Sequence, residues 1–168
     1  MTDHMVILNS TQIGNKLQRI ASEIFERHAD SGQLILAGIN NKGYLMASDL
    51  SQRLKAIGMK DIRLCRLKLN PANPLETRAE LDIPVDQLSG KVVIVVDDVA
   101  NSGRTLFFAM QPMMEVLLKS LEICVLIERM HKSYPVSVDY VGLRLATTVK
   151  QNIEVAFSED VPVEAGLI

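Results

Sequence analysis

The sequence predicts an α/β fold built on a mostly parallel central sheet flanked by helices. Three observations carry that expectation. Short apolar runs alternate along the chain with segments whose apolar residues recur at helical spacing. The run Val92–Val96 is apolar without alternation, as a central parallel strand buried on both faces requires. The composition, 48% hydrophobic and 23% charged over 168 residues, is that of an ordinary globular chain able to bury one core. A single domain over residues 1–168 is expected.

In order, Thr11–His28 reads as an amphipathic helix with Ile13, Leu17, Ile20, Ile24 and Phe25 on one face, capped by Ser10 or Thr11. Gln33–Ile39 reads as a buried strand. Gly43–Ile57 reads as a helix carrying Leu45, Met46, Leu50, Leu54 and Ile57 on one side, with Gly58 as its stop. Ile62–Leu69 is a second strand. Pro71, Asn73 and Pro74 make Asn70–Glu80 an extended loop. After Val92–Val96, a helix is expected over Thr105–Leu118, kinked by Pro112, with Met113 and Met114 packing from its middle. Leu121–Ile127, Val138–Leu143 and Ile153–Phe157 are further strands. His4 and His28 read as surface residues.

Several classes are set aside by composition. Cys65 and Cys124 lie in apolar runs without metal-type spacing and read as buried reduced thiols, consistent with a cytoplasmic location. No signal peptide or membrane span is visible. Net charge is -2, from 18 basic and 20 acidic residues, so there is no global electrostatic pull toward nucleic acid.

The chemistry concentrates in VVIVVDDVANSGRT, Val92–Thr105. A buried strand ends in the acids Asp97 and Asp98. Small and polar residues follow, Ala100, Asn101, Ser102 and Gly103, and a helix begins near Arg104 or Thr105. In an open parallel sheet, ligands bind beyond the carboxyl ends of the strands. A loop entering a helix offers backbone N–H groups to a phosphate, and Ser102 and Thr105 add hydroxyls. Two carboxylates ahead of it suit sugar hydroxyls or a Mg²⁺ ion. The plain alternative is a solvated turn whose acids cap the next helix. The phosphate loop GxxxxGK[ST] of nucleotide triphosphatases is missing from the sequence. The acid pair also lies past mid-chain, unlike that of receiver domains.

These residues resemble the type I phosphoribosyltransferases, and within them the branch of bifunctional pyrimidine operon regulators and uracil phosphoribosyltransferases. The resemblance covers about residues 15–145 and rests on RIASEIFER (Arg19–Arg27), Ala37-Gly38-Ile39 with Gly43, DIPVDQLSGKVV (Asp82–Val93), VDDVANSGRT (Val96–Thr105) and LIERMHKSYPVSVDYVG (Leu126–Gly142). It implies a fold with a small hood and a mobile loop, and a pentosyltransferase. Such an enzyme moves phosphoribose from phosphoribosyl pyrophosphate (PRPP) to uracil or another nucleobase, with Mg²⁺ and release of pyrophosphate. It implies that Asp97 and Asp98 contact the ribose hydroxyls and position Mg²⁺. Val99, Ala100, Asn101, Ser102, Gly103, Arg104 and Thr105 would hold the 5-phosphate side. Ile39, Asn40, Asn41, Lys42 and Gly43 would bind pyrophosphate, with a cis peptide expected at Asn40–Asn41. Arg129 would join the substrate set, and Asn70–Glu80 would be a lid over the site; the other readings are a plain strand-helix turn at Asn40–Lys42 and a disordered linker at Asn70–Glu80. The family usually forms dimers or larger oligomers.

The chain also departs from that branch. The strand before the expected lid reads RLCRLKLNP instead of carrying acids and a Tyr-Arg pair, and Leu143, Arg144, Leu145 and Ala146 replace a lysine-asparagine pair followed by Ile-Pro. Asn101 stands where the 6-oxopurine branch carries an acid thought to act as base, and it cannot accept a proton in that role. The alternative function is a PRPP- or nucleotide-sensing RNA-binding regulator of pyrimidine genes. Of the branch's RNA-contact positions, Arg19, Arg27, His131 and Lys132 are kept. Gln18, Ser22, Asn40, Lys42 and Ser137 depart from it, so weak or absent specific RNA binding is expected.

Overall fold

The computed structural model describes residues 4–146 and 151–168. The chain runs β1 (Met5–Leu8), α1 (Ser10–His28), β2 (Leu34–Ile39), α2 (Asn40–Ala56), β3 (Ile62–Lys68), β4 (Glu80–Leu81), β5 (Val92–Ala100), α3 (Arg104–Ala109), β6 (Ser120–Arg129), β7 (Tyr140–Leu145), β8 (Ile153–Ser158) and β9 (Val161–Leu167). Six strands form one sheet in the order β4-β3-β2-β5-β6-β7, parallel except for the short edge strand β4. The order reverses between β2 and β5. Chain segments leaving those two strands therefore diverge to opposite sides, opening a crevice at their carboxyl ends.

Alternation within β2 and β5 assigns each residue to a layer. Leu34, Leu36, Ile94 and Val96 face α1 and α2, packing with Ile13, Leu17, Ile20, Met46, Leu50 and Leu54. Ile35, Ala37, Val93 and Val95 face the other way, toward Leu106, Ala109, Met113, Val136 and Val138. Each fully buried Leu or Ile stabilises this sandwich by about 1.5–3 kcal/mol. Cys65 and Cys124 are buried within it as free thiols, and burial pushes the Cys65 thiol up to about 12. A second, antiparallel sheet, β1-β9-β8, joins the chain's beginning to its end. Among the described residues, no helix is long and apolar enough to cross a membrane.

Four expectations are corrected. The cap of α1 is Asn9: its Oδ1 accepts from Gln12 N at 2.9 Å, and its own N–H donates to Gln12 Oε1 at 3.0 Å. The helix after β5 ends at Ala109 and gives way to a 3₁₀ turn over Gln111–Glu115. Pro112 has no N–H and its ring collides with the carbonyl four residues back, so the α-helix cannot pass through it. Met113 packs inside, but Met114 is exposed. His28 is buried: its Nε2 lies 2.8 Å from Glu122 Oε2, which also accepts from the Tyr140 hydroxyl at 2.8 Å.

Candidate active site

Strand β5 continues past its apolar stretch, through Asp97, Asp98 and Val99 to Ala100, because pairing with β6 persists: Asp97 lies opposite Val125, Val99 opposite Ile127 and Ala100 opposite Glu128. The acids are thus held by the sheet ladder, not by a loop. Asp97 is 9% exposed, and its Oδ1 accepts from the Asp98 N–H at 2.9 Å. Burial, and then the neighbouring Asp98 charge, hold the Asp97 carboxyl well above the usual carboxylate range; Lys42 pulls the other way. Such a group gains from a cation or from hydroxyl donors brought by a ligand.

Across the crevice, β2 hands directly to α2. The expected loop Ile39–Gly43 is in fact the strand's last residue and the first turn of the helix. No cis peptide occurs among the described residues; the unusual geometry at Asn40 is instead a positive φ of 51°. Asn tolerates that conformation better than most residues, because its short amide bonds locally. Here Asn40 Oδ1 accepts from Leu69 N at 3.1 Å and ties this turn to the end of β3. Gly43 is forced by proximity: a Cβ there would lie 2.5 Å from the Val96 carbonyl oxygen. Lys42 pairs with Glu154 of β8 at 3.7 Å.

One cleft of about 310 Å³ brings Ile39, Asn40, Asn41, Lys42, Asp97, Asp98 and Thr105 together with Pro71. A smaller adjoining hollow is bounded by Val99–Leu106. Gly103 takes φ +83°, which lets the loop curl tightly before α3. The Ser102 Oγ accepts from Arg104 N at 3.2 Å. The Ser102 carbonyl is held by Ser133 N at 2.9 Å and Tyr134 N at 3.1 Å. Since α3 has only six residues, the anion-binding capacity here resides in the N–H groups and hydroxyls of the curled loop, with little from a helix dipole.

Two contacts lay outside the sequence reading. The Arg104 Nη2 donates to the Pro71 carbonyl at 2.7 Å, linking the loop Val99–Thr105 to the segment after β3. The turn after β6 clamps the same loop, with Lys132 paired to Glu128 and its stem against Gly103. The Lys132 side chain is 14% exposed. The contacts of Arg104 with Pro71 and of Lys132 with Gly103 span long separations, so no local pattern announces them. Arg129 closes β6 and donates to the Gln151 carbonyl, outside the cleft lining.

Comparison with known proteins agrees with this architecture. The family described as phosphoribosyl transferase domain matches residues 6–160. A protein named bifunctional protein PyrR from Bacillus cereus (strain B4264) is 36% identical over 169 residues, covering 95% of this chain and 93% of its own. Its namesake from Streptomyces coelicolor is 32% identical over 164 residues, covering 92% and 83%. Among solved structures, a hypoxanthine phosphoribosyltransferase of Trypanosoma cruzi superposes with a TM-score of 0.79 at 16% identity, covering 97% of this chain and 95% of its own. A hypoxanthine-guanine phosphoribosyltransferase (hpt-2) from Bacillus anthracis gives 0.73 at 21%, covering 98% of each. At those identities the structures share the fold. The chain belongs to the phosphoribosyltransferase family, as a pentosyltransferase similar over most of its length to the bifunctional proteins named PyrR.

Proposed function

We propose that the protein transfers phosphoribose from PRPP to a nitrogen of a nucleobase, breaking the bond from C1 to pyrophosphate and forming a C1–N bond. The observation that carries this is the cleft with its adjoining hollow at the sheet's reversal point, where the buried Asp97 and half-buried Asp98, a curled polar loop and the turn after β2 meet. In this reading Asp97 and Asp98 accept hydrogen bonds from the ribose hydroxyls. The loop Val99–Thr105, with Ser102 and Thr105 hydroxyls, holds the 5-phosphate. The turn Ile39–Gly43 holds pyrophosphate, with Lys42 supplying positive charge. Charge builds at C1 as pyrophosphate departs, and catalysis rests on orientation and electrostatics.

The donor set fits Mg²⁺ carried mainly by the substrate. Asp97 and Asp98 supply two carboxylates, and among the described residues no group of three or more His, Cys, Asp or Glu is placed to hold a metal. That suits an ion which keeps its waters and is shared with phosphates. Bound there beside Asp97 and Asp98, Mg²⁺ would neutralise the leaving pyrophosphate. The segment Asn70–Glu80 serves as a lid, entered at Pro71 over the cleft. The same reading places the protein in nucleotide metabolism, as a cytoplasmic homo-oligomer.

A second reading, an RNA-binding regulator, draws on the resemblance of Arg19–Arg27 and Leu126–Gly142 to the regulator branch. Of the four positions kept for it, His131 is exposed, while the other three have partners within the chain. Arg19 donates to the Val141 and Gly142 carbonyls and pairs with Glu23. Arg27 pairs with Glu122 over the Tyr140 ring, and Lys132 pairs with Glu128. Catalysis is therefore the leading reading. Its test is a screen of free bases with PRPP and Mg²⁺, reading nucleotide formation; turnover of one base is expected, and no product from any base would overturn it.

A further inference from the structure

The end of β6 carries a charge cluster that lies outside the proposed cleft. Glu128 is 5% exposed, and both of its carboxylate oxygens are engaged: Oε1 accepts from Lys132 Nζ, and Oε2 accepts from Arg144 Nε at 2.9 Å. The sheet ladder sets its backbone between Ala100 of β5 and Arg144 of β7. A buried ion pair adds little stability over apolar packing of the same volume. What distinguishes this one is where its two arms lead.

The Lys132 arm leads to the curled loop. A Cβ at Gly103 would stand 3.5 Å from Lys132 Cδ. The next two residues complete the contact, because the Ser133 and Tyr134 N–H groups both donate to the Ser102 carbonyl, at 2.9 and 3.1 Å. The Tyr134 ring then packs against Phe107 of α3, with centroids 5.4 Å apart. Residues 132–134 thus form a socket for the loop and for the helix behind it. No helix or strand runs through residues 130–134, so the socket depends on ties to its surroundings. The pair with Glu128 is the tie that reaches back into the sheet. Arg144 differs: it comes from β7, the strand on the far side of β6 from β5, and its side chain is 57% exposed.

We infer that Glu128 is a positioning residue for the proposed phosphate loop: its buried carboxylate anchors Lys132 and so fixes the socket against which Ser102 and Gly103 keep their curl. The inference rests on the reading of Val99–Thr105 as the holder of the 5-phosphate. Glu128 acts through Lys132, not by contact with the substrate. With the socket fixed, the loop is ordered before the ligand arrives, and binding has less ordering to supply.

The test is calorimetric titration of the full-length protein with ribose 5-phosphate, with PRPP and Mg²⁺, and with inorganic pyrophosphate and Mg²⁺. The last ligand avoids the loop, so it separates positioning from general support of the fold. Glu128→Gln should weaken ribose 5-phosphate and PRPP by about tenfold, on the scale of a charge-assisted hydrogen bond. Lys132→Met, which keeps the stem against Gly103 and loses only the ammonium, should do the same. Both variants should hold pyrophosphate within about twofold of wild type. The double variant should lose no more than either single one, since both cut one tie. Arg144→Gln removes an exposed arm and should change all three affinities by about twofold at most. Thermal melts follow folding; should Glu128→Gln fail to fold, the comparison of Lys132→Met with Arg144→Gln decides. Additive losses in the double variant, an equal loss of pyrophosphate affinity, or ribose 5-phosphate binding unchanged in Lys132→Met overturns the inference alone. A wild type that binds no ribose 5-phosphate refutes the loop's assignment in the proposed function, and the positioning role falls with it.

Discussion

Gly103 offers the most quantitative handle on the proposed phosphate loop. Its φ of +83° lies in the left-handed region, which costs a residue bearing a Cβ about 1–2 kcal/mol. An added Cβ would also stand 2.8 Å from Val136 Cγ2, and relieving such an overlap in packed surroundings adds about 1 kcal/mol. Gly103→Ala therefore costs about 2–3 kcal/mol if the loop keeps its curl. Asn101 and Ser102 are exposed, so the free protein can relax the loop and escape part of that strain. PRPP binding must then restore the curl, and affinity bears the part that was relieved, up to about 30- to 150-fold in Kd for full relief. Gly103→Val should lose more, since a β-branched residue is worse in this region. Arg104→Ala removes the hydrogen bond to the Pro71 carbonyl, worth about 1 kcal/mol at a partly exposed site, or about fivefold. Calorimetric titration with PRPP and Mg²⁺ measures all three variants, with thermal melts as the check on folding. PRPP affinity in Gly103→Ala within threefold of wild type, or an equal loss in Arg104→Ala, would refute the account of the loop.

Further expectations concern other parts of the molecule. Asp97 has a folded-state pKa raised by burial and Asp98, so its contribution to stability is full below the unfolded carboxylate pKa and declines as pH rises toward the folded value. Asp97→Asn should accordingly raise Tm relative to wild type at neutral pH, with the gain shrinking in acid, while Asp97→Asn with Asp98→Asn abolishes PRPP binding; a pH series of melts and a titration check both. Replacing His28 with Ala strips a partner from the buried Glu122 carboxylate and should destabilise the fold by about 3 kcal/mol in urea unfolding, without changing PRPP affinity. Specific binding to pyrimidine-operon leader RNA should be weak or absent at physiological salt in gel shifts with and without uridine nucleotides; submicromolar, nucleotide-dependent binding would show that Arg19, Arg27 and Lys132 let go of their internal partners.

What the sequence made legible follows from which forces act locally. The central strand and the two long helices announced themselves because burial imposes periodicity on neighbouring residues. The acid pair and its loop could be read because strand, acids and small residues are contiguous. Strand β9 escaped notice because Pro162 and the partly exposed Val163 and Glu164 break any clean alternation; β1, four residues long, depends on it for pairing. His28 was misjudged because its partner Glu122 lies 94 positions away. The Asn9 cap was within reach, since Asn followed three residues later by Gln is a capping-box signature. The continuation of β5 through Asp97 and Asp98 was not, because two acids break the apolar pattern of a strand while the ladder with β6 decides the backbone.

That continuation of β5 has a bearing on how the protein could diversify. With Asp97 braced against Val125 by the sheet, the carboxylates proposed to face the sugar inherit the rigidity of the scaffold. The end of β7 and the antiparallel sheet β1-β9-β8 can then accumulate changes, such as Leu143–Ala146 here, without disturbing the proposed grip on phosphoribose. A lineage built this way can exchange its acceptor base by rewriting peripheral segments while the donor half of the reaction stays untouched.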